Sequence, residues 1–142
     1  MLQFNEPITF GPAGSARDLN PTGISFEDSG AYSWTIAPVA DLEVQLPLAR
    51  ETIKLEVNAM PFTPENTIVS QQVFIYLNGL FQGFCSMERR EKKSIALTRS
   101  ALTTRPSRLT FVIPTAASPK SIGIGPDIRE LGLALNTLTF VT

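Results

Sequence analysis

Residues Gln71 to Ser86 read QQVFIYLNGLFQGFCS, and this stretch decides the fold. Val73, Ile75 and Leu77 recur every second residue, the period of an extended strand with one buried face. The run ends in Asn78-Gly79, a strong short-range hairpin signal, because both central residues of a type I′ turn need positive φ. The chain then returns as a second strand from Leu80 to Ser86. A β-hairpin is therefore expected here, and the rest of the chain repeats its logic.

Upstream, Leu42, Val44 and Leu46 alternate in the same way, followed by Ile53, Leu55, Val57 and Ala59. Downstream, strands are expected at Ser94 to Thr98, at Arg108 to Pro114 with Leu109, Phe111 and Ile113 on one face, and at Leu133 to Val141. The chain has 11 prolines. Pro47, Pro61, Pro64, Pro106, Pro114 and Pro119 all fall where a strand should stop, since proline has no N–H to give the ladder. Helical periodicity is confined to single turns, near Ser100 to Thr104 and near Ile128 to Leu131. Roughly eight to ten short strands separated by turn signals predict an all-β protein, an antiparallel two-sheet sandwich with jelly-roll connections. A closed barrel is the alternative. Either brings the first and last strands together, and the Gly/Pro-interrupted first twenty residues are expected to wrap over an edge strand.

The 142 residues suit one domain, 1–142, with a core large enough to need neither disulfide nor metal. An apolar content of 43% and a charged content of 18% are those of a globular chain. No apolar run approaches the roughly 18 residues of a membrane span. The start, MLQFNEPITFGPAGS, has no basic n-region and no apolar h-region, so no secretory signal is expected and the compartment stays open. Cys85, the single cysteine, reads as a small half-buried residue. Histidine is absent, which removes the commonest acid/base group, a frequent metal ligand and every Ser-His or Cys-His nucleophile pair. No metal ligand set, cofactor loop or catalytic motif is legible, and a noncatalytic protein is expected.

Charge is unevenly spread along the chain. Residues 1–88 hold ten acids and three bases, and residues 89–142 nine bases and three acids. One reading is a basic patch of Arg89, Arg90, Lys92, Lys93, Arg99, Arg105 and Arg108. The other is that a sandwich interleaves early and late strands, so that the two halves neutralise one another. The second is favoured over nucleic-acid binding, because no aromatic residue between Met87 and Arg108 is available to stack on a base.

Two segments concentrate groups that recognise ligands. Pro114 to Leu135, PTAASPKSIGIGPDIRELGLAL, is a long turn-rich loop that ends in Asp127, Arg129 and Glu130 before an apolar strand. Gly23 to Thr35, GISFEDSGAYSWT, carries Glu27 and Asp28, then Tyr32 and Trp34, which strand parity places on one face. Sugar recognition needs an aromatic face for the apolar side of a pyranose, which Tyr32 and Trp34 offer. It also needs planar polar groups for paired hydroxyls, which Glu27, Asp28, Asp127 and the rigid fork of Arg129 offer. The alternative is structural: Trp34 in the core, Asp127 paired with Arg129 to fix the loop, and Glu27-Asp28 with Gly30 forming a turn.

Gly23 to Thr35, LEVQLPL at Leu42 to Leu48, QQVFIYLNG at Gln71 to Gly79 and the loop ending in RELGLAL together resemble one family pattern. They look like the β-sandwich accessory domain appended to bacterial cell-envelope glycosyltransferases, similar in layout to galactose-binding-like jelly rolls. The matching positions are Glu27, Tyr32, Trp34 and Thr35 in the first piece, and Asp127, Arg129, Leu131, Gly132 and Leu133 in the last. The resemblance implies carbohydrate recognition or a supporting role beside a glycosyltransferase, with a glycan as partner. Two other functions remain: a structural protein forming a homo-oligomer or docking surface, and a glycosidase pairing Glu27 or Asp28 with Asp127.

Overall fold

In the computed structural model the described residues are 1–49, 52–102 and 106–142. Their strands are β1 (Ile8–Thr9), β2 (Ser33–Trp34), β3 (Val39–Val44), β4 (Ile53–Pro61), β5 (Gln71–Leu77), β6 (Leu80–Met87), β7 (Glu91–Leu97), β8 (Ser107–Val112) and β9 (Leu133–Val141). They form two sheets in which every pairing is antiparallel. The first runs β1-β9-β4-β7, with β2 also on β9, and the second runs β3-β8-β5-β6. The protein is a β-sandwich of jelly-roll type, as the alternation predicts. The first and last strands pair directly, Ile8 opposite Leu138. β1 and β2 together cover the side of β9 away from β4.

The core lies between the sheets and is built from the alternating residues. Leu42, Leu55, Val57, Val73, Ile75, Leu77, Leu109, Phe111, Leu133, Leu135, Leu138 and Phe140 are all fully buried. On β9 the inward spacing breaks between Leu135 and Leu138, where β4 and β9 change register between Asn58 and Ala59. This bulge absorbs one residue and returns Leu138 and Phe140 to the interior. Asn136, in the shifted segment, donates its side-chain amide to the Ala31 carbonyl at 2.7 Å. Asn78 and Gly79 have φ of 51° and 78°, as a type I′ turn requires.

The expected helical turn near Ser100 is a 3₁₀ turn, Arg99–Leu102; Thr103 and Thr104 lie outside the described residues. The turn expected at Ile128 to Leu131 does not form. Leu131 instead bridges Ala117 in antiparallel fashion, and the Glu130 N–H goes to the Ile36 carbonyl. Long-range backbone pairing there outweighs a local helical preference. The sequence also leaves unmarked β1, β2 and a 3₁₀ turn at Ser15–Asp18, each too short to show a period.

The uneven charges are partly neutralised across the fold. Arg108 on β8 reaches Asp41 and Glu43 on neighbouring β3, and Arg129 reaches Asp28. Arg89 and Lys93 pair with Glu91 inside the basic half. Lys92 on β7 and Arg108 on β8 lie on different sheets, so the basic residues do not form one patch. Arg105 lies outside the described residues.

Candidate functional site

One end of the sandwich is built by two excursions. In the first, Ile24 bridges Thr35, the Ser25 N–H donates to the Trp34 carbonyl at 2.9 Å, and the Ile36 N–H donates to the Gly23 carbonyl at 2.8 Å. Residues 26–32 are therefore the tip of an irregular hairpin. The second is the loop from Pro114 to Gly132. It is held by reciprocal Ala117–Leu131 hydrogen bonds and enters β9 beside Thr35, whose hydroxyl accepts the Leu133 N–H at 2.9 Å. Gly132 makes this approach possible, since a Cβ there would lie 2.9 Å from Thr35 Oγ1 and 3.0 Å from Ile113.

Arg129 clasps the two excursions together. Asp127 Oδ1 accepts the Arg129 backbone N–H at 2.9 Å, which closes a local turn and aims the guanidinium back at the same carboxylate. Nε and Nη2 then donate to Asp127 at 2.8 to 3.1 Å. Nη1 reaches across to both oxygens of Asp28 at 3.1 and 3.2 Å. These hydrogen bonds hold the Asp127 carboxyl below the usual carboxylate range and raise the already high pKa of Arg129. Asp127 therefore stays ionised at neutral pH, and the carboxylates of Asp127 and Asp28 that a glycosidase would use are both engaged by the one guanidinium.

Beside the clasp is a hollow of about 480 Å³, lined by Arg129, Glu27, Arg17, Phe26, Ile24 and Ile36 among others. That volume is in the range of small-ligand sites. Arg17 is anchored through Nη1 to the Pro12 carbonyl at 3.0 Å, and Phe26 is stacked on buried Phe10 at 6.3 Å between ring centroids. The lining thus combines an apolar wall with one carboxylate and two guanidinium groups.

Asp28, Asp127 and Arg129 come together, and Glu27 shares the hollow with Arg129. Tyr32 and Trp34 form a separate ring cluster. Trp34 is half-buried on the outer side of the sandwich, not in the core, while its neighbours Ser33 and Thr35 are fully buried. Its ring meets Tyr32 edge-on at 6.3 Å and Phe62 edge-on at 6.1 Å. The pair shares a face as parity predicts, but its rings stand 83° apart and are not one flat platform. Among the described residues no hydrogen bond or ring contact joins this cluster to the clasp. Arg17, Phe26 and Phe62 were not marked in the sequence. Arg17 and Phe62 are brought in by packing from distant segments with no local pattern to announce them, and Phe26, next to Glu27, reads in the sequence only as an apolar residue.

No group of three or more acidic, cysteine or histidine side chains suited to a metal ion occurs among the described residues. The cation between Asp28 and Asp127 is the guanidinium of Arg129.

No protein-family model matches this chain, and no curated protein matches it by sequence. Solved structures do. The CBM36-1 domain of a multidomain xylanase from the hindgut metagenome of Trinervitermes trinervoides is similar over 96% of each chain, at 7% identity and a TM-score of 0.58. A carbohydrate-binding module CBM36 in complex with calcium and xylotriose aligns over 95% of this chain and 98% of that one, at 10% identity and a TM-score of 0.49. The Podospora anserina GH26-CBM35 β-(1,4)-mannanase aligns over 95% of this chain and 27% of that one, at 11% identity and a TM-score of 0.47. At these identities the first likeness is one of fold, and that fold is the β-sandwich of carbohydrate-binding modules.

Proposed function

We propose that this protein is a noncatalytic carbohydrate-binding module whose ligand site is the hollow beside the Arg129 clasp. The observation that carries the reading is the guanidinium fixed by Asp28 and Asp127 at the edge of a cavity that also holds Glu27 and an apolar wall. A sugar ring needs this combination: an apolar surface for its C–H face, and polar groups that keep their orientation before it arrives. All three side-chain nitrogens of Arg129 donate within the clasp, so its main role is to set the walls. Glu27, with no ion pair among the described residues, is the principal acceptor for sugar hydroxyls. Trp34 and Tyr32 lie on the adjoining segment and extend the surface for a longer glycan.

The fold shared with carbohydrate-binding modules supports a sugar as ligand without choosing one. The further association with a bacterial envelope glycosyltransferase rests on the sequence resemblance of the four segments given above. Titration calorimetry against xylo-oligosaccharides and envelope-type saccharides tests the reading. At least one is expected to bind the wild-type chain, and Glu27→Ala should weaken it about tenfold, the scale of one lost charged hydrogen bond. Absence of binding across both saccharide classes, or binding untouched by Glu27→Ala, would refute it.

A further inference from the structure

The outer face of the second sheet carries an apolar surface unrelated to the hollow. Val39 pairs with Val112, Val112 with Phe74, and Phe74 with Phe84. These four residues form one row across all four strands. The next row, by the same pairings, is Asp41, Thr110, Tyr76 and Phe81. Val39, Phe81 and Phe84 are 49%, 55% and 48% exposed, unusual for large apolar side chains gathered on one face. Polar groups border the rows on both sides. Gln72 donates to Ser86 at 3.0 Å on one, and Arg108 pairs with Asp41 and Glu43 on the other. An apolar centre within a polar rim is the anatomy of a protein–protein interface.

We propose that this face is the two-fold interface of a homodimer. The order of the row points to a second copy. A two-fold axis running along the strands between β8 and β5 reverses the sequence Val39, Val112, Phe74, Phe84 onto itself. Each valine then faces a phenylalanine of the other copy, small against large at all four positions, which is the self-complementarity an isologous contact requires. In the second row Thr110 meets Tyr76 of the other copy, hydroxyl to hydroxyl, and Asp41, at the end of the row, meets Phe81. The rim carboxylate of Asp41 already has Arg108 and the Thr22 hydroxyl as partners, so closure does not strand it unpaired. Four strands at about 4.8 Å and six residues at about 3.4 Å give a face roughly 20 Å on a side. That is about 400 Å² per partner, half of a standard interface, which fits a weak dimer.

Two observations disfavour other occupants. Neighbouring rings are tilted by 46°, 51° and 65°, so no two share a plane on which a glycan would lie. At the start of the free edge of β6, the Gln82 side chain donates to the Leu80 and Phe81 carbonyls and accepts the Thr98 N–H. An added strand would have to displace these contacts, which favours the face over the edge.

Sedimentation equilibrium of the full chain from low to high micromolar concentration tests this. The wild type is expected to pass from monomer to dimer across this range. Phe84→Ser and Val39→Asp should each raise the dimer dissociation constant about tenfold or more with an unchanged circular dichroism spectrum. Glu56→Lys, on the outer face of the other sheet, should not. A wild type monomeric throughout, a dimer surviving both variants, or a monomer whose Phe84 face binds soluble glycan would overturn the proposal. The first two outcomes leave Glu27 and the hollow untouched; glycan on the Phe84 face would count against both readings, and the response of that binding to Glu27→Ala separates them.

Discussion

At the residue scale, Arg129 holds more of this end of the molecule together than any other side chain. It is a third exposed, as is Asp127 nearly, so solvent screens the pairing and Arg129→Ala should cost about 1 kcal/mol, the upper end for such pairs. Arg129→Lys should recover little of it, because one ammonium cannot serve two carboxylates in the forked geometry. The pH dependence follows from the lowered pKa of Asp127. A carboxyl depressed on folding adds stability above its unfolded value and loses it as pH falls through the folded one. The melting-temperature gap between wild type and Asp127→Asn should therefore be full at neutral pH and shrink below about pH 4, which scanning calorimetry measures. The local half of this clasp, Asp-x-Arg, is readable in the sequence because its partners are two residues apart. Its other half, Asp28, lies 101 residues away and becomes a partner only through the fold.

At the element scale, the β5–β6 turn shows why strands were legible and their ends less so. Asn78 holds positive φ and also binds three distant groups. Its amide donates to the Ala101 carbonyl at 2.6 Å and Ser107 Oγ at 3.1 Å, and its carbonyl oxygen accepts the Arg108 N–H at 2.9 Å. Replacing it by alanine removes all three bonds and strains the turn, for an expected loss of about 2–3 kcal/mol in urea denaturation. Strand β9 was delimited in the sequence as it stands in the structure, Leu133 to Val141, because its apolar run is long. β7 begins at Glu91, three residues before the expected Ser94, since charged edge-strand residues carry no apolar period. β1 and β2, two residues each, exist only because β9 offers them a partner.

At the scale of the whole molecule, a sandwich core predicted by alternation supports surfaces that alternation does not predict. The first brings Gly23–Thr35 and Pro114–Leu135 to one end, where the sequence had already gathered most of its candidate residues. The second is the aromatic face of β5 and β6, whose outward residues were visible only as the other half of a period. The central claim is that a glycan occupies the hollow at the clasp. Mapping amide and side-chain NMR shifts during titration with a binding saccharide tests it most directly. The account predicts perturbations at Glu27, Phe26, the Arg129 Nε–H and, for longer glycans, the Trp34 indole N–H. Shifts confined to Phe74, Phe81 and Phe84, or none with any saccharide, would contradict it.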